Sequence, residues 1–188
     1  MNTSGLRIYS TQDSDIQKIM EQEMADSKYI LHTKNTKGND VTAEAAAVVI
    51  DPATGYVVGA VGQLGEKTTS RGLNRINRPR QTGSAIKPLS DVLPGIEEGI
   101  ITPATIYANQ YTIFGGGYDP KNYNNKNLGN RTVRSALTTS QNIPFVKIQA
   151  ELTPKKGLEY LKKMGVSTLD DEKDNNLAAV AIGGFTYG

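Results

Sequence analysis

The chain has 188 residues, room for one domain or a large piece of one, with 37% apolar and 21% charged side chains. With 21 basic and 19 acidic side chains the net charge is +2, which points to neither a polyanionic partner nor an acidic tail. It has no cysteine and one histidine, His32, which excludes thiol nucleophiles, disulfides, thiolate zinc sites and zinc sites built on several imidazoles. Neither a metal nor a cofactor is expected. The 19 Gly, 8 Pro and many Asn imply long irregular stretches between short elements. No apolar run reaches the roughly 18 residues of a membrane span, and no leader-like segment opens the chain, so the piece as it stands is expected to be soluble. Asn2-Thr3-Ser4 and Asn130-Arg131-Thr132 fit the glycosylation sequon, a match an Asn-rich chain produces by chance.

Asp13 to Ser27 reads as an amphipathic helix, capped by Asp13 or Ser14, with Ile16, Ile19, Met20 and Met24 at helical spacing. Residues 33–43 are polar and Gly-containing and read as a loop, with His32 at its edge. Residues 44–62 hold the clearest strand signal: AEAAAVVI and YVVGAVG flank the turn DPATG, predicting a hairpin with both strands largely buried. Gln63 to Gly83 has no clean period. Its Arg71, Arg75, Arg78 and Arg80 lack the interleaved aromatic residues of a nucleic-acid surface, so no nucleic-acid partner is expected. A phosphate loop at Gly59–Thr68 fails, because Glu66 separates Gly65 from Lys67. Ser84 to Glu98 is predicted helical and bent near Pro94, with Pro88 in its first turns. Thr102 to Asn130 reads as irregular. Arg131–Thr139, Ile143–Glu151 and Pro154–Met164 read as helices, the last with Leu158 and Leu161 on one face. Asp170 to Asn176 is a polar loop before an Ala-rich stretch ending at Gly188. No segment after the hairpin reads as an equally convincing strand, and a two-stranded hairpin rarely stands alone, so the sheet is expected to be incomplete in this chain.

A serine hydroxyl is a poor nucleophile until a base takes its proton. With no Cys and one poorly placed His, that base would be a lysine, neutral when it acts and therefore lowered in pKa by burial or a nearby positive charge. Ser84-Ala85-Ile86-Lys87 places a Ser and a Lys three residues apart on one helix face, after Gly83, where helix N-terminal donors favour developing negative charge. Alone, this pattern is weak and reads first as a capping Ser with a surface Lys. Ser140-Gln141-Asn142 follows a short helix. Its hydroxyl can relay a proton, and its Asn amide can hold a carbonyl or the lysine; alone, it reads as an Asx-type turn ending that helix.

Together, Ser-x-x-Lys and Ser-x-Asn are the paired motifs of serine β-lactamases and penicillin-binding proteins. The resemblance extends beyond them. AAAVVIDPATGYVVGAVG resembles the family's opening strand pair, NRINRPRQTGSAIKPL its approach to the nucleophile, and GIEEGIITPATIY with YDPKNYNNKNLGNRTVRSALTTSQNIPFVKI its middle. LAAVAIGGFTYG resembles its later Gly-Gly segment, and LRIYSTQDSDIQKIMEQEM the helix leading into the catalytic domain. The chain is most similar to the bifunctional, class A penicillin-binding proteins, with residues 1–43 as helix and linker and 44–188 as the front of the transpeptidase domain. The implied fold is α+β and β-lactamase/transpeptidase-like: an antiparallel sheet flanked by helices, incomplete here.

The resemblance implies a peptidoglycan D,D-transpeptidase at the extracytoplasmic face of the bacterial membrane. Ser84 would attack the penultimate D-Ala carbonyl of a stem peptide, and Lys87 would accept its proton. Ser140 would pass a proton to the leaving amine, and Asn142 would orient substrate and Lys87. Gln141 would line the substrate site, and the Ser84 backbone N–H would bind the oxyanion. β-Lactams would acylate Ser84 as a dead end. The family's Lys-Thr-Gly motif is absent, so a further segment carrying it, as a second chain or fragment, is the expected partner. Tyr118 stands where the family often has Trp and Asn109 where it often has Asp; neither is expected to touch the chemistry. A β-lactamase would need a water-activating base, and no Glu-x-x-Leu-Asn pattern follows Asn142. A noncatalytic sensor would not need both motifs intact.

Overall fold

The computed structural model describes residues 5, 7–67, 70–123 and 125–187. Asn2-Thr3-Ser4, Thr68 and Gly188, each part of a reading made above, lie outside them. Two compact units divide the chain, one up to Arg78 and one from Pro79.

In the first unit, helix α1 spans Ser14–Ala25. Asp13 Oδ1 caps it by accepting from the amides of Asp15 and Ile16 at 2.9 and 3.0 Å, an arrangement that contributes about 1 kcal/mol. Strands β1 (His32–Lys34) and β2 (Asp40–Thr42) pair antiparallel where a loop was expected. Every residue of this hairpin is exposed, so it has no buried face and none of the alternation that marks a strand. Asn35 makes it: its Oδ1 accepts from the amides of Lys37 and Asn39, both at 3.0 Å.

The expected second hairpin is present as β3 (Ala47–Ile50) and β4 (Val57–Val61), with a register shift between Val49 and Ile50. Only β4 is well covered. A methyl added at Gly59 would lie 2.6 Å from Met20 Sδ and 3.0 Å from Ile16 Cγ2, so the glycine is what lets α1 lie directly on the strand. The Gln17 amide completes that edge, accepting from Ala60 N at 2.9 Å and donating to Ala60 O at 3.1 Å. Ile19 points away from this contact and is exposed. β3 is not the buried strand expected: Val48, Val49 and Ile50 are 43%, 37% and 57% exposed. Hydrophobicity without alternation reports a strand that needs cover on both faces, and α1 reaches only its neighbour.

In the second unit, a helix of mixed pitch runs from Gly83 to Glu97: a 3₁₀ turn at Gly83–Ile86, a π segment at Pro88–Val92, and α2 at Leu93–Glu97. The bend expected at Pro94 takes this form. Pro94 lacks a donor, and its ring would strike the Ser90 carbonyl in a regular α-helix. The wider turn, closed by the Leu93 amide on Pro88 O, relieves both. Strands β5 (Ile106–Asn109) and β6 (Gly129–Thr132) form a ladder where irregular chain and the start of a helix were expected. Each is four residues long, and GNRT carries almost no strand propensity; pairing across a long loop decides it. Thr132 Oγ accepts from Ser135 N, so helix α3 starts at Val133 and ends at Thr138.

Helix α4 (Asn142–Leu152) is the centre of this unit, with Ile143, Phe145, Val146, Ile148 and Leu152 all buried. α5 (Pro154–Lys163) and α6 (Leu177–Ile182) pack against it. One core joins Ile86, Leu158, Leu161, Val180 and Phe185; another joins Ile101, Tyr107, Val133, Phe145 and Ile148. At roughly 1.5–3 kcal/mol per buried large side chain, these two clusters fix the start of the mixed helix and the α3–α4 turn. No helix among the described residues is long and apolar enough to cross a membrane.

Candidate active site

Two turns of the second unit meet at one lysine. Ser84 lies exposed in the first turn of the mixed helix, and Lys87, one turn on, has a relative exposure of 0%. Lys87 Nζ donates to Asn142 Oδ1 at 2.8 Å, Ser140 O at 3.1 Å, Gln141 O at 3.2 Å and Ser140 Oγ at 3.4 Å. Among the described residues none of its bonds goes to Ser84. The Phe145 ring centroid is 5.2 Å from Nζ. Ser140, Gln141 and Asn142 therefore stand around Lys87, and Ser84 opens the helix that carries it.

Burial pulls the Lys87 ammonium down to a pKa of about 8, opposed in part by Asp91. Four oxygen acceptors favour the ammonium and the dry surroundings favour the amine, so the group is poised near neutrality. Asp91 was not singled out from the sequence, although it lies one turn beyond Lys87. Its side chain is fully buried and Ser90 Oγ donates to its Oδ2 at 2.9 Å. Burial raises its pKa well above the usual carboxylate range, with Ser90 and Lys87 opposing. A carboxyl that tends to keep its proton leaves Lys87 free to lose one.

The Ser140 loop has a defined backbone reason. Ser140 N donates to Leu137 O at 3.0 Å and Gln141 N to Ala136 O at 2.9 Å, the paired bonds that close a helix through a left-handed residue. That residue is Ser140, with φ 51°, where glycine is usual. The turn points both its carbonyl and hydroxyl oxygens at Lys87. A side chain in this region costs about 1–2 kcal/mol. Ser140→Gly is therefore expected to be about 1 kcal/mol more stable than Ser140→Ala, a difference chemical denaturation resolves.

Gln141 has its Oε1 turned to a buried amide chain rather than outward: it accepts from Asn109 Nδ2 at 3.0 Å. Asn109 Oδ1 accepts from Asn122 Nδ2 at 2.8 Å, and Asn122 Oδ1 accepts from the Asn142 amide at 2.8 Å. Asn109 was expected to stand apart from this site; it is bonded to its second residue. Its signal was hidden because the link runs through pairing of β5 with β6. Tyr118, half-buried, forms a bridge with Phe114 outside the Lys87 cluster. Of the four arginines between Gln63 and Gly83, Arg75 pairs with Glu44 at 3.2 Å and the others are exposed. His32 is exposed and takes no part. Among the described residues no group of three or more His, Asp or Glu side chains could hold a metal ion.

Comparison with known proteins gives concordant matches. The sequence profile of the penicillin binding protein transpeptidase domain matches residues 45–182. Penicillin-binding protein 1F of Bacillus subtilis is 36% identical over 176 residues, which cover 94% of this chain and 23% of that protein. Penicillin-binding protein 1A of Clostridium tetani is 35% identical, over 95% of this chain and 24% of that protein. The chain thus spans about a quarter of the curated relatives it matches. PonA1 of Mycobacterium tuberculosis, solved in complex with penicillin V, superposes with a TM-score of 0.76 at 21% identity, over 98% of this chain and 48% of that one. Penicillin-binding protein 1A of Haemophilus influenzae superposes at 0.64, over 82% of this chain and 24% of that one. The structural likeness shows the fold expected from the sequence: α+β, with small antiparallel sheets and helices making part of a transpeptidase domain.

Proposed function

Because this chain belongs to the penicillin-binding protein transpeptidase family, we propose that it bears the nucleophile of a peptidoglycan D,D-transpeptidase of the serine type, with Ser84 as nucleophile and Lys87 as general base. The observation that carries the reading is Lys87 Nζ, buried and lowered to a pKa of about 8, within hydrogen-bond reach of both Ser140 Oγ and Asn142 Oδ1. A buried amine with that pKa is a competent base near neutral pH. In the proposed cycle the Lys87 amine takes the Ser84 hydroxyl proton as Oγ adds to the penultimate D-Ala carbonyl. The Ser84 amide, in the first turn of its helix, donates to the oxyanion. The Lys87 ammonium returns that proton through Ser140 to the departing D-Ala nitrogen while Asn142 holds Lys87 and the substrate amide. The neighbouring stem's amine then takes the acyl group, its lost proton passing back through Lys87 to the freed Ser84 oxygen. The site belongs on the extracytoplasmic side of the bacterial membrane, where stem peptides are.

A second element of the proposal is a further segment carrying the Lys-Thr-Gly motif; the exposed apolar side chains Val48, Val49 and Ile50 of β3, which a further element would cover, support it.

Labelling the full-length protein with a reporter penicillin, followed by peptide-level mass spectrometry, tests the assignment. A persistent adduct on the peptide bearing Ser84, absent in Ser84→Ala, is expected. An adduct elsewhere, or rapid turnover of the penicillin, would overturn it. In the same assay Ser140→Gly, despite its relaxed backbone, should acylate about tenfold or more slowly, since the relay hydroxyl is gone.

A further inference from the structure

The amide chain behind the Ser-Gln-Asn turn does more than fill space. Asn122 is 3% exposed, and its side-chain bonds go to the start of α4, to its own loop and to Asn109 at the end of β5. Oδ1 accepts from two consecutive amides, Asn142 N at 2.8 Å and Ile143 N at 3.3 Å, the first two of α4. These are helix N-terminal donors with no partner inside the helix. Nδ2 donates to Asn109 Oδ1 at 2.8 Å and Lys126 O at 2.9 Å, so both faces of the amide are used and it has one orientation. The preceding residue takes hold of Asn142 from the other side: Asn142 Nδ2 donates to Lys121 O at 2.8 Å. With its nitrogen held there, Asn142 can only present Oδ1 to Lys87 Nζ, where it makes the shortest of the lysine's four bonds.

We propose that Asn122 is a positioning residue for acylation: by gripping the Asn142 backbone while Lys121 O orients its side chain, it holds the Asn142 amide oxygen on the base. This rests on the reading of Lys87 as general base. The consequence is specific. Among the described residues Asn122 bonds neither Ser84 nor Lys87, so its effect should pass through Asn142 and vanish when Asn142 is cut back.

The test is a double-mutant cycle in the full-length protein, reading the first-order acylation rate and the pre-covalent affinity for a reporter penicillin on the high-pH plateau. Asn122→Ala should lower the acylation rate about 10–100-fold with pre-covalent affinity changed less than about threefold. In an Asn142→Ala background the same change should cost less than about twofold. Asn122→Asp keeps an acceptor for both α4 amides but sets its second oxygen against Asn109 Oδ1 and Lys126 O, so its loss should likewise shrink below about twofold in the Asn142→Ala background, and it serves alone if the alanine variant does not fold. An unchanged rate in Asn122→Ala, or an equal loss in both Asn142 backgrounds for either Asn122 variant, overturns the proposal. Failure of the parent protein to acylate overturns the underlying reading, and the inference with it.

Discussion

Lys87→Arg is expected to slow acylation of Ser84 by about 10²–10⁴-fold and to abolish its rise with pH, because a guanidinium does not deprotonate in proteins. In the parent protein the amine is the reactive form, so the rate should climb with pH, bend near pH 8 and level off above it. Stopped-flow acylation by a chromogenic β-lactam from about pH 6 to about pH 10 reads this directly. A flat profile in the parent would mean that another group takes the proton.

Stability carries a linked signature. The Lys87 pKa falls from 10.5 in the unfolded chain to about 8 when folded, so between those values the unfolded state binds more protons. Its contribution therefore rises with pH across that window, and below about 8 the cost of burying the ammonium is fully present. Asp91 has the opposite sign: its folded pKa lies well above 3.8, so the folded state binds more protons above that value and its contribution falls as pH rises. In Lys87→Arg the rise above pH 8 should be missing.

Much of this was legible because the chemistry is local. Ser84 and Lys87 share a helix turn, and Ser140, Gln141 and Asn142 share another, so the spacing of residue types stated the geometry of each half. That the halves meet was carried by family resemblance, not by spacing. Asn109 and Asn122 were unreadable for the converse reason: both are polar residues in a stretch without periodicity, and only the pairing of Asn109 with Gly129 across β5 and β6 places them behind the turn. Asp91 lies one turn beyond Lys87 on the same face, but a carboxylate four residues from a lysine reads equally as an exposed helix ion pair, so the spacing did not state its burial. The β1–β2 hairpin failed for lack of a buried face. The burial of β3 was overread because a continuous Val-Val-Ile run records what the strand is built to be covered by, not what covers it in this chain.

Gly183→Ala is expected to damage fold and site together, and its neighbour Gly184→Ala to spare both. Gly183 closes α6 with φ 76° and ψ 30°, and its amide donates to Ala179 O at 2.9 Å. A methyl there would lie 2.1 Å from Gly83 O and 2.6 Å from Gly83 C and N. The contacted residue is the one before Ser84, and its own amide donates to Gly183 O at 3.3 Å. The segment cannot simply retreat. Gln81 Nε2 donates to Phe185 O at 2.8 Å, and buried Asp174 accepts from both Thr186 N and Thr186 Oγ at 2.8 Å. The overlap must therefore be absorbed by Gly83, which carries Ser84 with it. The left-handed backbone alone costs about 1–2 kcal/mol, and a displacement of order 1 Å at the nucleophile costs about 10²-fold in rate. At Gly184 the nearest atom to an added methyl is Ala178 O at 3.5 Å, ordinary contact, so its alanine variant should fall within about 1 kcal/mol of the parent. Thermal unfolding and the acylation rate of the two variants in the full-length protein decide the matter. Equal behaviour of the two would show that the approach of Gly183 to Gly83 does not set the position of Ser84.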